Sequence, residues 1–261
     1  MTDVSLVPYL NLQGYNPIAV PREQFDPLFL IGGTSRTNLK FLGRLPTLLK
    51  PGTPLPEVFR DDEAPAFGNR LSDSVDAKAG LHFLGAILAA FGAGSLGVSG
   101  EYSKAATLEY LFLNVKHDYV APLEVAAALT LAALNPAVVA NVQGFPFLYL
   151  VSDTLKSNLF AVVAFDDKNA KIELNADAIK QIVGGDVSVG VANGQHNVVS
   201  YSGTKELRFA FRAIPLKLYA DKEPELQIDD AFLVARAVPA KTLPPEAYEV
   251  LAPGTAVDIT E

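Results

Sequence analysis

The chain has 261 residues, 49% of them hydrophobic, and a formal net charge of −8 at pH 7. That length admits one large domain or two small ones with a sizeable core, and the acidic balance argues against nucleic acid as main partner, since phosphate binding draws on clustered Lys and Arg. The absence of cysteine removes disulfides, zinc–thiolate sites, a cysteine nucleophile and S-acylation of a thiol.

Met1 to Leu6 carries neither a basic nor an apolar signal region, so the chain is expected to stay in the cytoplasm. Up to residue 60, prolines and glycines such as Pro8, Pro17, Pro27, Gly32, Gly33 and Pro46 allow only short elements separated by turns. Arg22, Arg36, Lys40, Arg44 and Lys50 make this region locally basic. Such cations read as a solvated face or as an attraction to anionic lipid head groups, worth about 1 kcal/mol each near the surface. Arg36, Lys40 and Arg44 are the candidates for the second role.

Asp61-Asp62-Glu63-Ala64-Pro65 reads as a solvated polar break. Beyond it, Ala79 to Gly100 runs for twenty-two residues without a formal charge, long enough to cross a bilayer. Six glycines and His82 set this run apart from a constitutive anchor. The expectation is a Gly-rich helix and turn, folded away in one state and rebuilt as strands in another.

Two enzyme motifs fall in the same run. Gly92-Ala-Gly94-Ser-Leu-Gly97 matches the dinucleotide fingerprint, which works only with a strand before it and a helix opening on it. Neither is legible in the flanking residues. Ala93-Gly94-Ser95-Leu96-Gly97 loosely matches a nucleophile elbow, and Asp153 or Asp166 followed by His196 has the chain order of a serine hydrolase. Order alone supports that reading. The three histidines have no metal-ligand spacing, and no cofactor is expected.

Further on, Pro122 opens a helix over Leu123 to Leu134 that Asn135-Pro136 ends. Leu159 to Phe165 is apolar on both faces, and Asp166 to Asn169 turn it into a strand at Lys171 to Leu174. Asn175 caps a short helix with Ile179, Ile182 and Val183 on one face, closed by Gly184-Gly185. Val187, Val189 and Val191 alternate with small residues. Leu207, Phe209, Phe211 and Ala213 alternate with Glu206, Arg208, Ala210 and Arg212, giving one apolar and one charged face. Helices and antiparallel hairpins without regular strand–helix alternation point to an α+β fold.

After Tyr219 the composition turns acidic and Pro-rich, as in an extended tail that wraps a domain. The expected division is a domain over 1–230 and a tail over 231–261. The tail's candidate docking residues are Phe232, Leu233, Val234, Tyr248 and Leu251.

Several segments, in order and spacing, resemble the gasdermin family, specifically its short bacterial members. They are Tyr9-Leu10 through Gly14-Tyr15 with Val20-Pro21-Arg22, and Gly80-Leu-His-Phe-Leu-Gly85 through Gly97 leading into Tyr102. Leu148-Tyr-Leu-Val-Ser-Asp-Thr-Leu-Lys156-Ser157-Asn158-Leu-Phe160 and Val198 to Ala213 complete the match, which covers about residues 5 to 220. The resemblance implies a single domain with a twisted, mainly antiparallel central sheet flanked by helices, and a short autoinhibitory tail. It further implies a pore-former of bacterial defence, cytoplasmic when intact, and no enzyme. A caspase-like or other protease removes the tail, the domain oligomerises with its own copies on anionic lipids, and β-hairpins enter the inner membrane and kill the cell.

In that reading the first hairpin uses about residues 70–119, with Gly80, Leu84, Gly85, Phe91, Leu96, Leu108 and Phe112 as candidates. The second uses about residues 157–191, with Phe160, Val162, Val187 and Val189. Thr107 to Tyr119 alternates only roughly for a barrel strand. Arg236 and Lys241 suit a basic-specific protease, and Leu243 or Leu251 suit others; the sequence leaves the choice open. Bacterial members commonly carry a lipidated N-terminal Cys, where this chain has Thr2, Asp3 and Val4, so that lipidation is not expected. A non-lytic scaffold and a serine hydrolase remain the competing classes.

Overall fold

The computed structural model describes residues 6–64, 70–93, 98–130, 132–183, 187–191, 197–219, 225–228, 248–251, 253 and 256–260. Two long antiparallel strands form its spine: β8 (Phe147–Phe165) and β10 (Val198–Tyr219). Around them pack β1 (Asn16–Arg22), β2 (Phe29–Gly33), β3 (Asn38–Arg44) and β12 (Asp258–Thr260), in the order β1-β10-β8-β2-β3-β12. A parallel bridge between Ile18 and Val257, just ahead of β12, closes this order into a ring. At the other end of the spine, β5 (Arg70–Asp76) pairs with β6 (Thr107–Leu113), β6 with β8, and β9 (Ser188–Val191) with β10. Between the two ends, β4 (Val58–Glu63) pairs with β7 (Lys116–Val120), and β7 with β8. β11 (Glu225–Ile228) lies on the far end of β10.

Helices flank the sheet: α1 (Leu6–Leu12), α2 (Leu45–Leu48), α3 (Ala77–Ala90), α4 (Val98–Glu101), α5 (Pro122–Thr130), α6 (Pro136–Val142) and α7 (Ala176–Val183). The expected α+β class, with a mainly antiparallel sheet flanked by helices, is the observed one. The Asn175 cap is present, with its Oδ1 accepting the Ala178 N–H at 3.0 Å. Of the twenty-two uncharged residues, α3 takes only those up to Ala90. Among the described residues no helix is long and apolar enough to cross a membrane.

Local expectations differ from the structure in three places. Asn135-Pro136 does not end the preceding helix: α5 stops at Thr130 instead of running to Leu134, and Asn135 Oδ1 accepts the Ala137 N–H while Pro136 opens α6. An Asn followed by Pro is an N-cap and first-turn pair as well as a stop. Lys171 to Leu174 is not a strand, since only the Phe165–Lys171 bridge forms there. Asp166 Oδ1 takes the amides of Lys168 and Ala170, and the chain then dives to bury Leu174. The charged face of β10 is not a solvent face, because Arg208 and Arg212 are both largely buried in ion pairs.

Candidate functional site

Three features stand out: a docked C-terminal segment, a sheet-borne charge cluster, and a core beneath α3 and α7. The C-terminal segment is held by backbone pairing. β12 runs parallel to β3, with Asp258, Ile259 and Thr260 opposite Asn38, Leu39 and Lys40. On its other side Val257 accepts the Ala19 N–H at 3.0 Å and donates to the Pro17 carbonyl at 2.8 Å. Val257, Ile259 and Leu251 are buried in one cluster with Phe29, Ile31, Leu39 and Phe211. Burying such side chains contributes roughly 1.5–3 kcal/mol each before ordering costs.

Side chains add a second layer of docking. Asn16 is fully buried; its Oδ1 accepts the Leu251 N–H at 2.7 Å and its amide donates to the Glu249 carbonyl at 3.0 Å. Arg22 donates to the Ile259 carbonyl. Arg36 pairs with Glu249 at 2.8 Å, and the Arg212 guanidinium lies over the Tyr248 ring, 4.5 Å from its centre. Of the expected tail contacts, Tyr248 and Leu251 are buried, while Phe232, Leu233 and Val234 lie outside the described residues. Asn16, Arg22, Val257 and Ile259 were not legible as contacts; the alternation Val257-Asp258-Ile259-Thr260 was the available signal.

Among the cleavage candidates, Arg236, Lys241 and Leu243 lie outside the described residues. Leu251 is 3% exposed, with its amide already bonded, so in this state it is no accessible protease site. A protease needs an extended, reachable segment, and burial together with the Asn16 bond withholds this one. Of the head-group candidates, Arg36 is engaged by Glu249, Arg44 stacks over Phe29 at 4.9 Å, and Lys40 is exposed on β3.

The hairpin candidates converge on one core. Leu84 and Phe91 from the α3 region, Leu108 and Phe112 from β6, Phe160 and Val162 from β8, and Val187 share a single cluster, with Val189 packed at its margin. Gly85 is half-buried in α3; Gly80 begins its second turn, and Leu96 lies outside the described residues. Phe91 stacks on Phe160 with centroids 5.9 Å apart, and Phe160 stacks on Tyr201 at 5.0 Å. Gly203 makes room for Phe91: a Cβ there would meet the Phe91 ring at 2.4 Å. Tyr102, just after α4, meets Tyr201 through their hydroxyls at 2.6 Å, and burial pushes both phenols up from their ordinary pKa. Tyr201→Phe therefore leaves the buried Tyr102 hydroxyl without this partner and is expected to cost about 1–3 kcal/mol, whereas Tyr102→Phe/Tyr201→Phe is expected to be close to neutral. Urea unfolding of the parent and the two variants checks this.

The enzyme motifs take other roles. Gly92 has φ +83° and caps the C-terminal end of α3, with the Ala93 N–H donating to Leu88 at 2.8 Å. A dinucleotide fingerprint needs a helix N-terminus at its first glycine, the opposite polarity. Ser95 and His196 lie outside the described residues. Asp166 caps its turn, and Asp153 accepts the Tyr15 hydroxyl at 2.8 Å and lies 3.3 Å from His117 Nδ1. No cluster of His, Asp and Glu among the described residues could hold a metal ion.

Asp153 also pairs with Arg212 at 3.6 Å, and a second set of charges, around Lys156, crosses the sheet. Lys156, 3% exposed, reaches Asp118 at 2.7 Å, Asp61 at 2.7 Å and Glu206 at 3.1 Å. Register sets Lys116 of β7 and Arg208 of β10 opposite it, so three cations lie abreast on adjacent strands. Arg208 pairs with Asp26 at 3.0 Å and Asp118 at 3.3 Å, and Lys116 with Glu206 at 3.0 Å. Asp61, expected in a solvated turn, instead sits on β4 with φ +60° and faces Lys156. The Lys156 hydrogen bond holds its carboxyl below the usual range.

The mainly antiparallel sheet flanked by helices is that of a bacterial gasdermin. The chain superposes on the structure of a bacterial gasdermin from Bradyrhizobium tropiciagri with a TM-score of 0.62, covering 97% of this chain and 95% of that one at 14% identity. It belongs to the Bacterial Gasdermin Family, whose profile matches residues 18–230. It is 32% identical over 214 residues to a gasdermin of Vitiosangium sp., covering 80% of each chain. A gasdermin of Desulfuromonadales bacterium is 31% identical over 80% of this chain and 79% of its own, and one of Lysobacter enzymogenes is 28% identical over 88% and 86%. Membership makes the protein a pore-forming gasdermin and not an enzyme.

Proposed function

We propose that this chain is a latent pore-former that proteolysis of its C-terminal segment activates. The observation that carries the reading is the pairing of residues 257–260 between β1 and β3, with Val257 and Ile259 buried among domain side chains. While the chain is intact, that segment is tethered at an effective concentration of order mM. A cut upstream of Tyr248 turns the same contacts into a weak bimolecular interaction, and the segment departs.

Departure also uncovers cations. Arg22, Arg36 and Arg212 each lose a contact with the segment. Arg36, with Lys40 and Arg44 nearby on β3, then faces anionic lipid head groups. The core shared by Leu84, Phe112 and Phe160 opens, and the hairpins built from residues 70–119 and 157–191 pair with those of neighbouring copies. In a bilayer every backbone polar group must be paired, so these strands cross only as part of a closed barrel. The outcome is a pore in the inner membrane of the producing bacterium and death of that cell in defence against phage; the intact protein waits in the cytoplasm. The activating protease is caspase-like or another enzyme with access to the 236–247 stretch.

The test is dye release from liposomes of anionic bacterial lipids. A specific protease recognition sequence is placed within residues 236–247 of the full chain. The uncut protein is expected to be silent and the cut protein to release the dye within minutes. Silence after complete cleavage, on anionic and neutral vesicles alike, overturns the reading.

A further inference from the structure

The charge cluster around Lys156 has no task in holding the C-terminal segment, yet it spans the sheet at one height. β8 carries no charge from Ser157 to Phe165, nine residues bounded by Lys156 and Asp166. On β6 and its flanks, the eleven residues between Lys104 and Lys116 carry only Glu109. Register aligns the two stretches, with Leu113 opposite Leu159 and Thr107 opposite Phe165. β10 joins them, Val198 to Ser202 lying opposite Val163 to Leu159. On β8 both faces are apolar here, with Phe160, Val162 and Ala164 on one and Ala161 and Val163 on the other; besides Glu109, the charges of this region sit on its edge strand β5, as Arg70, Asp73 and Asp76.

A β-strand crosses the hydrocarbon core in about 9–11 residues, which matches the length of both stretches. A Lys or Arg moved to the bilayer midplane of a barrel is opposed by several kilocalories per mole, and here at least three cations and their acids would have to move together. Resting on the pore-forming reading above, we infer that the Lys116–Lys156–Arg208 row is the waterline of the inserted state: strands enter the bilayer up to Ser157 on β8, Val115 at the end of β6 and Thr204 on β10, the return strand of the second hairpin running past residue 191 to that point, and the ring above the row stays in water. The ion pairs act as a depth stop, and the partner they meet is the head-group layer.

Because the chain lacks cysteine, single-cysteine labels test this directly. An environment-sensitive fluorophore is placed at Ser200→Cys or Gly190→Cys below the row, and at Tyr219→Cys or Val58→Cys above it. Ser200 and Gly190 lie opposite one another in the register, and an added Cβ at Gly190 meets nothing closer than Ser200 Oγ at 3.5 Å. Each labelled full chain carries the engineered cleavage sequence and is cut on vesicles containing nitroxide-labelled acyl chains. The lower labels are expected to lose at least half of their emission to the nitroxides and the upper ones less than a tenth, in samples that release dye. Dye release with all four positions quenched, or with neither lower position quenched, overturns the depth stop. Absence of dye release from the cut unlabelled chain overturns the pore-forming reading instead.

Discussion

Asn16→Ala is expected to make the amides of residues 256–260 exchange with solvent about 30-fold to 1,000-fold faster, while those of β6 and β8 keep their rates. Asn16 is fully buried, and both ends of its side chain are committed to the C-terminal segment. Truncation removes two hydrogen bonds and leaves the Leu251 N–H and the Glu249 carbonyl without that partner in the seam. An unmet buried polar group costs about 1–3 kcal/mol, so two cost roughly 2–4 kcal/mol after partial relaxation. Since 1.4 kcal/mol is a factor of ten in an equilibrium constant, local opening becomes more populated by the stated range. The contrast between segment and sheet separates a clamp from a general loss of stability, which would speed exchange everywhere. In the pore-forming reading the uncut variant also acquires slow dye release. Unchanged exchange at Val257 and Ile259 rules out Asn16 as the clamp.

The elements legible in the sequence are those whose signal is local. Asn175 announces α7 because a side-chain cap needs only the next three residues, and the Gly-rich stretch announces a helix and turn, whose left-handed cap the structure places at Gly92. Family resemblance supplied the sheet that local patterns did not. What escaped depends on pairing between distant residues. Val257 and Ile259 alternate over too few positions to distinguish a strand from a loop, and their partners Pro17 and Leu39 lie more than two hundred residues away. Lys156, Asp61 and Glu206 each look like a solvated charge until the register of β7, β8 and β10 brings them to one height. The same alternation that placed Arg208 and Arg212 on one face of β10 could not say that this face is covered.

Lys156→Met is expected to lower the melting temperature of the intact chain by roughly 6–20 °C. Methionine keeps the length and most of the volume of the stem but deletes the charge that Asp118, itself 0% exposed, meets at 2.7 Å. Removing one partner of a buried ion pair costs about 3–5 kcal/mol, because the other charge stays behind, and each kcal/mol moves the midpoint by roughly 2–4 °C in a chain of this size. Arg208 and Arg60 still reach Asp118, at 3.3 and 3.5 Å, which favours the lower half of that range. Lys156→Met/Asp118→Asn is expected to recover more than half of the loss, since it removes the stranded charge as well; a double-mutant cycle read by calorimetry isolates the coupling. The pH dependence follows from the same contacts. Burial alone would depress the Lys156 ammonium, but hydrogen bonds to Asp118, Asp61 and Glu206 outweigh it and raise its pKa, and the Glu206 hydrogen bond raises that of Lys116. Their contribution is complete below the ordinary lysine value and disappears as pH climbs through the raised one. Asp61 is shifted down, so its contribution is complete above the ordinary carboxylate value and disappears as pH falls through the lowered one. Stability should therefore be level between about pH 4 and pH 10 with respect to these groups, and Lys156→Met should weaken both the acid and the alkaline decline, because Asp61 loses the hydrogen bond that lowers it. An alkaline decline as steep in the variant as in the parent would exclude Lys156 as its source and leave Lys116 to account for it.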